Sequence, residues 1–244
     1  MTLPLWLSVL SWVWLLAALL SALLIVLDEV RRPQPMAVMN WVWPLTALYG
    51  GPVALWGYFV LGRAPTQDAR HQAMHHGSQS HDSHGQGGKA ARPNPPTLRQ
   101  IALSASHCGA GCMLADILGE TLVFVCAWTI FGQSLYAGYL VTFGLAWLFG
   151  IAFQYASIRP MTGLSPARAL AAAIRADTLS ILFYQLGMYG WMAIVYFLLF
   201  PRPHLRPNAP AFWFMEQMGM IVGFLTTLPI NRWLLQAGVK EPME

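Results

Sequence analysis

The residues with the most reactive side chains follow one another within a short stretch, which begins at residues 107–112 with the sequence His-Cys-Gly-Ala-Gly-Cys. Four ligand-type residues here are spaced four positions apart and so share one slowly drifting face of an α-helix: Cys108, Cys112, Asp116 and Glu120. Two thiolates on successive turns can bridge a soft ion such as Cu(I), and zinc is the alternative ion. The spacing predicts a metal site with the cysteines as main ligands and the two acids beyond them.

His107 is an auxiliary ligand in this hypothesis. A residue adjacent to Cys108 points about 100° away from it on a regular helix of 3.6 residues per turn. We therefore expect His107 to join the thiols only if Gly109 and Gly111 make the helix irregular.

Two other interpretations of the cysteines stay open at this point. Free cysteine behaves as a small apolar residue, and the stripe Gly111, Ala115 and Gly119 suits close helix packing. The pair could also cycle between dithiol and disulfide, although residues four apart on a regular helix sit near the distance limit for a bridge.

Further candidate ligands lie near the end of the chain. Glu216 is followed by Met218, within a group of methionines whose thioethers favour Cu(I) but also commonly fill cores. Acids inside a membrane mark ion pathways by default. Asp177 has a plainer interpretation, as a partner of Arg175 or as a cap of its helix.

Residues 63–97 form a polar stretch of a different kind, with few apolar residues and many Gly, Ser and Gln. Such a composition cannot offset the entropy of ordering, so we expect a disordered linker. His-rich tracts can hold metals loosely. The linker supplies possible accessory ligands, namely His71, His75, His76, His81 and His84.

The elements that position these residues are membrane helices. The chain of 244 residues is 56% hydrophobic and only 10% charged, and it contains long apolar runs. We predict an all-α, polytopic membrane helix bundle with about six transmembrane helices. Residues 1–62 form two of them, residues 63–97 the linker, and residues 98–244 a four-helix domain that carries the His-Cys-x-x-x-Cys motif. Within this bundle, the third helix is predicted over residues 98–131 with Thr97 as its N-cap.

The second predicted helix, residues 37–61, is interrupted by Pro44, Gly50-Gly51 and Pro52. Such breaks survive in a membrane only where neighbours satisfy the freed backbone groups. A simple kink and a broken helix that lines a site are both compatible with this pattern.

The distribution of Lys and Arg predicts the orientation. Six crossings place both termini on one side, and the basic residues then divide ten to four in favour of that side. The positive-inside rule puts both termini and the linker in the cytoplasm. No basic run with interleaved aromatics indicates nucleic-acid binding.

Several segments together resemble a known family. They are residues 94–97 (Asn-Pro-Pro-Thr), the 107–112 motif with Asp116, residues 212–215, residues 229–234 and residues 238–243. Over residues 95–243 the chain resembles the uncharacterised bacterial membrane family called domain of unknown function 4396. The resemblance implies a protein of the bacterial cytoplasmic (inner) membrane and no particular activity.

The functional hypothesis from the residues is a metal-binding membrane protein that handles or transports copper. It would receive the ion from, or pass it to, a donor or acceptor protein, while its outer surface contacts membrane lipids. One alternative is a non-catalytic accessory subunit of a larger membrane complex. The other is a membrane thiol oxidoreductase; no hydrolase motif such as G-x-S-x-G is present.

Overall fold

The computed structural model describes residues 4–64 and 95–240, and this part of the chain is a helical bundle without a β-strand. Its helices are α1 (Leu5–Arg31), α2 (Met39–Gly57), α3 (Leu98–Val125), α4 (Ser134–Thr162), α5 (Pro166–Ile194) and α6 (Pro210–Gln236). Helices α2 and α5 each continue into a π-helical turn, Tyr58–Gly62 and Val195–Leu199. By length and composition, six helical segments of this part are long and apolar enough to cross a membrane, when Met39–Gly62 is counted as one. The predicted all-α membrane helix bundle is confirmed.

Helix α2 turns back on itself at Gly51. This residue has φ +54° and ψ −138°, a conformation that glycine adopts without the steric cost of a Cβ. Trp43 and Gly62 would lie about 28 Å apart in a continuous helix at 1.5 Å per residue, yet a Cβ at residue 62 would overlap the Trp43 indole. The Trp43 ring also packs edge-on against Tyr58, with centroids 5.4 Å apart. The two arms, residues 39–50 and 52–62, therefore lie side by side.

Both ends of this hairpin lie at the C-terminal end of α1. The side-chain amide of Gln34 donates to the carbonyl of Gly62 at 2.9 Å. Asp28 accepts hydrogen bonds from the Tyr58 hydroxyl at 2.9 Å and from the Arg63 guanidinium at 2.7 Å. The contacts join the end of α1 to the end of the second arm, so the hairpin enters and leaves the bundle on one side.

Helix α3 starts on the same side, and α6 ends there. The Arg99 guanidinium donates to the carbonyl of Leu61 at 2.8 Å, next to the end of the hairpin. Ser104, early in α3, donates to Asn231, late in α6, at 3.0 Å. We call this end of the bundle the C-terminal side.

The start of α1 lies at the opposite end, which we call the N-terminal side. Trp14 in the first half of α1 packs edge-on against Phe214 at the start of α6, with ring centroids 6.4 Å apart. In the described part of the chain, the start of α1 and the end of α6 therefore lie at opposite ends of the bundle. The predicted arrangement, with both termini on one side, requires α2 to run from one end of the bundle to the other, and the turn at Gly51 returns the chain instead.

The limits of α3 agree with the prediction at one end only. Thr97 is the N-cap of a capping box, in which the Gln100 backbone N–H donates to Thr97 Oγ1 and the Thr97 N–H donates to Gln100 Oε1. The helix stops at Val125, six residues earlier than predicted. Ala127 and Phe131 both have positive φ, which ends the helical path.

Candidate functional site

The predicted stripe of α3 is buried along most of its length. Cys108 and Cys112 have no exposed surface, Asp116 is 1% exposed, and Glu120 is partly buried. The helix stays regular from the capping box to Val125, and it carries this face among α2, α4, α5 and α6. The stripe therefore passes from the C-terminal side, where Cys108 lies, towards the N-terminal side.

On the C-terminal side, Cys108 belongs to a polar cluster. Its sulfur lies 3.6 Å from Oδ1 of Asp177 and 3.4 Å from Oγ of Ser180. The same Asp177 oxygen accepts a hydrogen bond at 3.0 Å from the ammonium of Lys240, and neither side chain is exposed. The thiol therefore faces a buried ion pair.

The partner of Asp177 is a correction to the sequence interpretation. Arg175 points away from it and donates to the carbonyl of Ala171 at 3.2 Å on an exposed face. Lys240 reaches Asp177 because the chain turns back after α6, with Gly238 at φ +67°. A lysine after a helix is usually solvated, so sequence reasoning missed this residue; its signal is the glycine two positions earlier, typical of a helix C-cap.

His107 faces a different neighbour. Its Nε2 lies 3.4 Å from Oγ of Ser157 in α4, and its ring packs edge-on against Phe153 with centroids 5.9 Å apart. Its Nδ1 has no hydrogen-bond partner among the described residues. Gly109 and Gly111 do not bend α3, and the imidazole stays on the face that a regular helix gives it.

Halfway along the stripe, Cys112 lies in a buried cluster that contains three methionines, one of them Met113 of α3 itself. The cluster joins it to Cys108, Met188 of α5 and Met220 of α6. Met218, the methionine proposed from the sequence, is only partly buried and is not among the core residues of this cluster. The structure thus brings other methionines to the thiols than the one predicted.

The tip of the α2 hairpin reaches the stripe at this level. Tyr49, two residues before the turn, places its hydroxyl so close to Gly109 that no Cβ could fit there. The Tyr184 hydroxyl approaches the same glycine and donates to the carbonyl of Met220 at 2.9 Å. The interrupted α2 is therefore a broken helix that packs on the site, one of the two forms compatible with its sequence.

Three carboxyl side chains converge towards the N-terminal side. Glu120 of α3 and Glu216 of α6 line the same cavity, and Asp116 lies one helical turn before Glu120 on α3. Both carboxyl oxygens of Asp116 and Oε2 of Glu216 are buried and have no hydrogen-bond partner among the described residues. We call these three residues the acid cluster.

A cavity of about 630 Å³ opens beside the acid cluster, between helices and the loops 126–133 and 200–209. Glu120 and Glu216 line it together with Arg202, Arg206 and aromatic side chains. His204, also in its wall, stacks on Tyr196 with centroids 3.6 Å apart. The cavity connects the buried acids with the N-terminal side.

The predicted ligands do not form one closed set. Within residues 4–64 and 95–240, no group of three or more His, Cys, Asp and Glu side chains has a geometry that could hold a metal ion. The three cysteines are unbridged, and Cys126 is exposed. The predicted accessory ligands His71, His75, His76, His81 and His84 lie outside the described residues. The metal hypothesis stays a prediction.

Comparison with known proteins gives one match. The family model described as "Domain of unknown function (DUF4396)" matches residues 97–240, well over half of the chain. The match begins at the N-cap of α3 and ends at Lys240, so it includes the stripe, the acid cluster and the ion pair. No curated protein and no solved structure matches the chain.

Proposed function

Since the chain belongs to the DUF4396 family, whose matched region contains every part of the buried stripe, we propose that the protein carries a metal cation through the membrane. The cation would move between the cavity on the N-terminal side and the Asp177 cluster on the C-terminal side. Copper(I) is the cargo that we propose for this route.

The observation that carries the proposal is the acid cluster at the cavity. Glu216 is 5% exposed, lines the cavity, and leaves one carboxyl oxygen without a partner among the described residues. Acids in a membrane are costly, about 3 kcal/mol each at the centre of a helix, and they occur mainly in pathways or in pairs. Glu120 and Glu216 line the open cavity, Asp116 lies one helical turn before Glu120, and none of the three forms an ion pair within the described residues. Such a group of acids can attract a cation.

The buried cluster around Cys112 supports copper(I) as the cargo. Thiols and thioethers are soft ligands that favour Cu(I) over hard divalent ions. Cys108, Cys112, Met188 and Met220 supply both types from three helices in one buried cluster. The C-terminal end of the first α2 arm adds carbonyl dipoles at the same level, and a broken helix with its end at mid-membrane is a common element of ion sites in transporters.

We propose that the C-terminal side faces the cytoplasm of a bacterium and that the protein resides in the inner membrane. Among the described residues, nine Lys and Arg lie in the loops and helix ends of the C-terminal side, against Arg202 and Arg206 on the other. This division of nine to two is a stronger bias than the ten to four that six crossings give for the whole sequence. By the positive-inside rule, the N-terminus is outside and the cavity opens to the exterior.

The test is the metal content and transport of purified protein. Wild-type protein and a Cys108→Ala/Cys112→Ala variant are loaded with Cu(I), washed, and analysed for bound metal. The same proteins are reconstituted into vesicles for copper flux. We expect the double variant to lose both bound copper and flux.

Cys126→Ala is the matched control, because this exposed cysteine lies outside the stripe and should leave both quantities unchanged. Equal and negligible copper in wild type and double variant would overturn the proposal. If the double variant retains bound copper, Cys108 and Cys112 are not the copper ligands of this route.

A further inference from the structure

The ion pair of Asp177 and Lys240 is completely buried in the part of the bundle nearest the C-terminal side. Their side chains have no exposed surface, and the ammonium lies 3.0 Å from Oδ1 of Asp177. A buried charge left alone costs several kcal/mol, so whichever group occupies this place must be a cation.

Two side-chain oxygens lie close to the ammonium, Oδ1 of Asp177 in α5 and Oδ1 of Asn231 in α6. Asn231 Oδ1 lies 3.3 Å from Nζ of Lys240 and also accepts from Ser104 at 3.0 Å and from Ser180 at 2.9 Å. The second carboxyl oxygen of Asp177 has no hydrogen-bond partner among the described residues. Carboxylate, amide and hydroxyl oxygens are the ligands that hard cations prefer.

The oxygens and the ammonium are held in different ways. The two oxygens lie on α5 and α6, with Ser104 of α3 bonded to Asn231, whereas the ammonium belongs to a short turn after the last helix. Val239 and Lys240 donate backbone hydrogen bonds to the carbonyl of Leu234 at 3.0 and 3.2 Å. Of residues 237–240, only Lys240 is buried. Its ammonium is therefore the main contact of the turn with the bundle interior.

We propose that the oxygen cluster around Asp177 is a binding site for a small monovalent cation, an alkali or ammonium ion, which Lys240 occupies as a tethered substitute. Entry of such an ion satisfies the same oxygens and releases the turn towards solvent. The binding site follows from its own geometry; its role as a gate at the inner end of the route rests on the proposed function.

The experiment measures the reactivity of the Lys240 amine. The chain has only two lysines, so Lys89→Arg leaves Lys240 as the single one. Purified full-length Lys89→Arg protein is treated with an amine-acylating reagent in NaCl, KCl, RbCl or choline chloride at equal ionic strength, and labelling at residue 240 is read by mass spectrometry. We expect several-fold more labelling in at least one small-cation salt. Equal labelling in all four salts would overturn the proposal.

A second measurement uses variants without the ammonium. We expect the thermal midpoint of Lys240→Ala to rise with the small cation relative to choline, and that of Asp177→Asn/Lys240→Ala not to respond. A Lys240→Ala protein without a cation response would count against the site. Neither readout involves copper. A failure of copper binding or flux therefore leaves the small-cation site untouched, and a failure of the small-cation site leaves the copper result untouched.

Discussion

The side-chain amide of Gln34 donates to the backbone carbonyl of Gly62 at 2.9 Å, which ties the loop after α1 to the end of the α2 hairpin. This contact requires both ends of α2 to lie on one side of the bundle. Five helices of the described part, rather than six, then run from one end of the bundle to the other, and α1 begins at the opposite end from the one where α6 ends. The side on which residue 35 lies then becomes a direct test of the hairpin.

We predict that Pro35, an exposed residue of that loop, faces the opposite side from Cys126. A Pro35→Cys/Cys126→Ser variant and wild type are exposed in intact cells to a membrane-impermeant maleimide. We expect labelling of native Cys126 in intact cells, and labelling of the residue-35 thiol only after permeabilisation. Cys108 and Cys112 are buried and should remain unlabelled. Labelling of both positions from outside would show that α2 crosses the membrane.

Packing of the two hairpin arms gives a second prediction. Gly62→Ala places a methyl group against the Trp43 indole, and we expect it to lower the free energy of unfolding by about 1–3 kcal/mol, the usual cost of overpacking. Gly57→Ala is the matched control in the same arm. Nothing lies within 4 Å of a Cβ there, so its effect should stay within about 1 kcal/mol.

Denaturant titration in detergent measures both variants. In a Trp43→Leu background, Gly62→Ala should cost less than in wild type, because the smaller side chain leaves room for the added methyl group. A Gly62→Ala protein as stable as wild type would contradict the close contact of the two arms.

Helix periodicity alone predicts which residues of the stripe share a face. It predicts neither the path of α2 nor the partner of Asp177. The four-residue spacing of Cys108, Cys112 and Asp116 places them on one buried face in any regular helix, and the structure confirms this face. The path of α2 depends instead on tertiary packing, since Gly51 permits a kink as well as a reversal. Lys240 could not be predicted as the partner of Asp177, because 63 residues separate them and only the folded bundle brings them together.

The sequence proposes His107 as an auxiliary copper ligand, but the structure gives its side chain other neighbours. Its Nε2 faces Ser157 and its ring packs on Phe153, away from the thiols. We therefore predict that His107→Gln binds as much copper as wild type, whereas Cys112→Ala binds less. Metal analysis of the purified variants decides this, and a loss of copper in His107→Gln equal to that in Cys112→Ala would return the imidazole to the ligand set.

The acid cluster gives the last prediction, which concerns flux. Glu216→Gln and Asp116→Asn keep the shape of each side chain and remove its ability to carry a negative charge. We expect each to slow copper flux in reconstituted vesicles about ten-fold, the effect of losing one charge-assisted contact worth about 1.5 kcal/mol. Glu29→Gln is the matched control, since Glu29 is equally buried but lies in α1 beside Gln34, away from the cavity. Wild-type flux in Glu216→Gln would exclude this carboxyl from the route, and an equal loss in Glu29→Gln would point to a general effect of removing a buried acid.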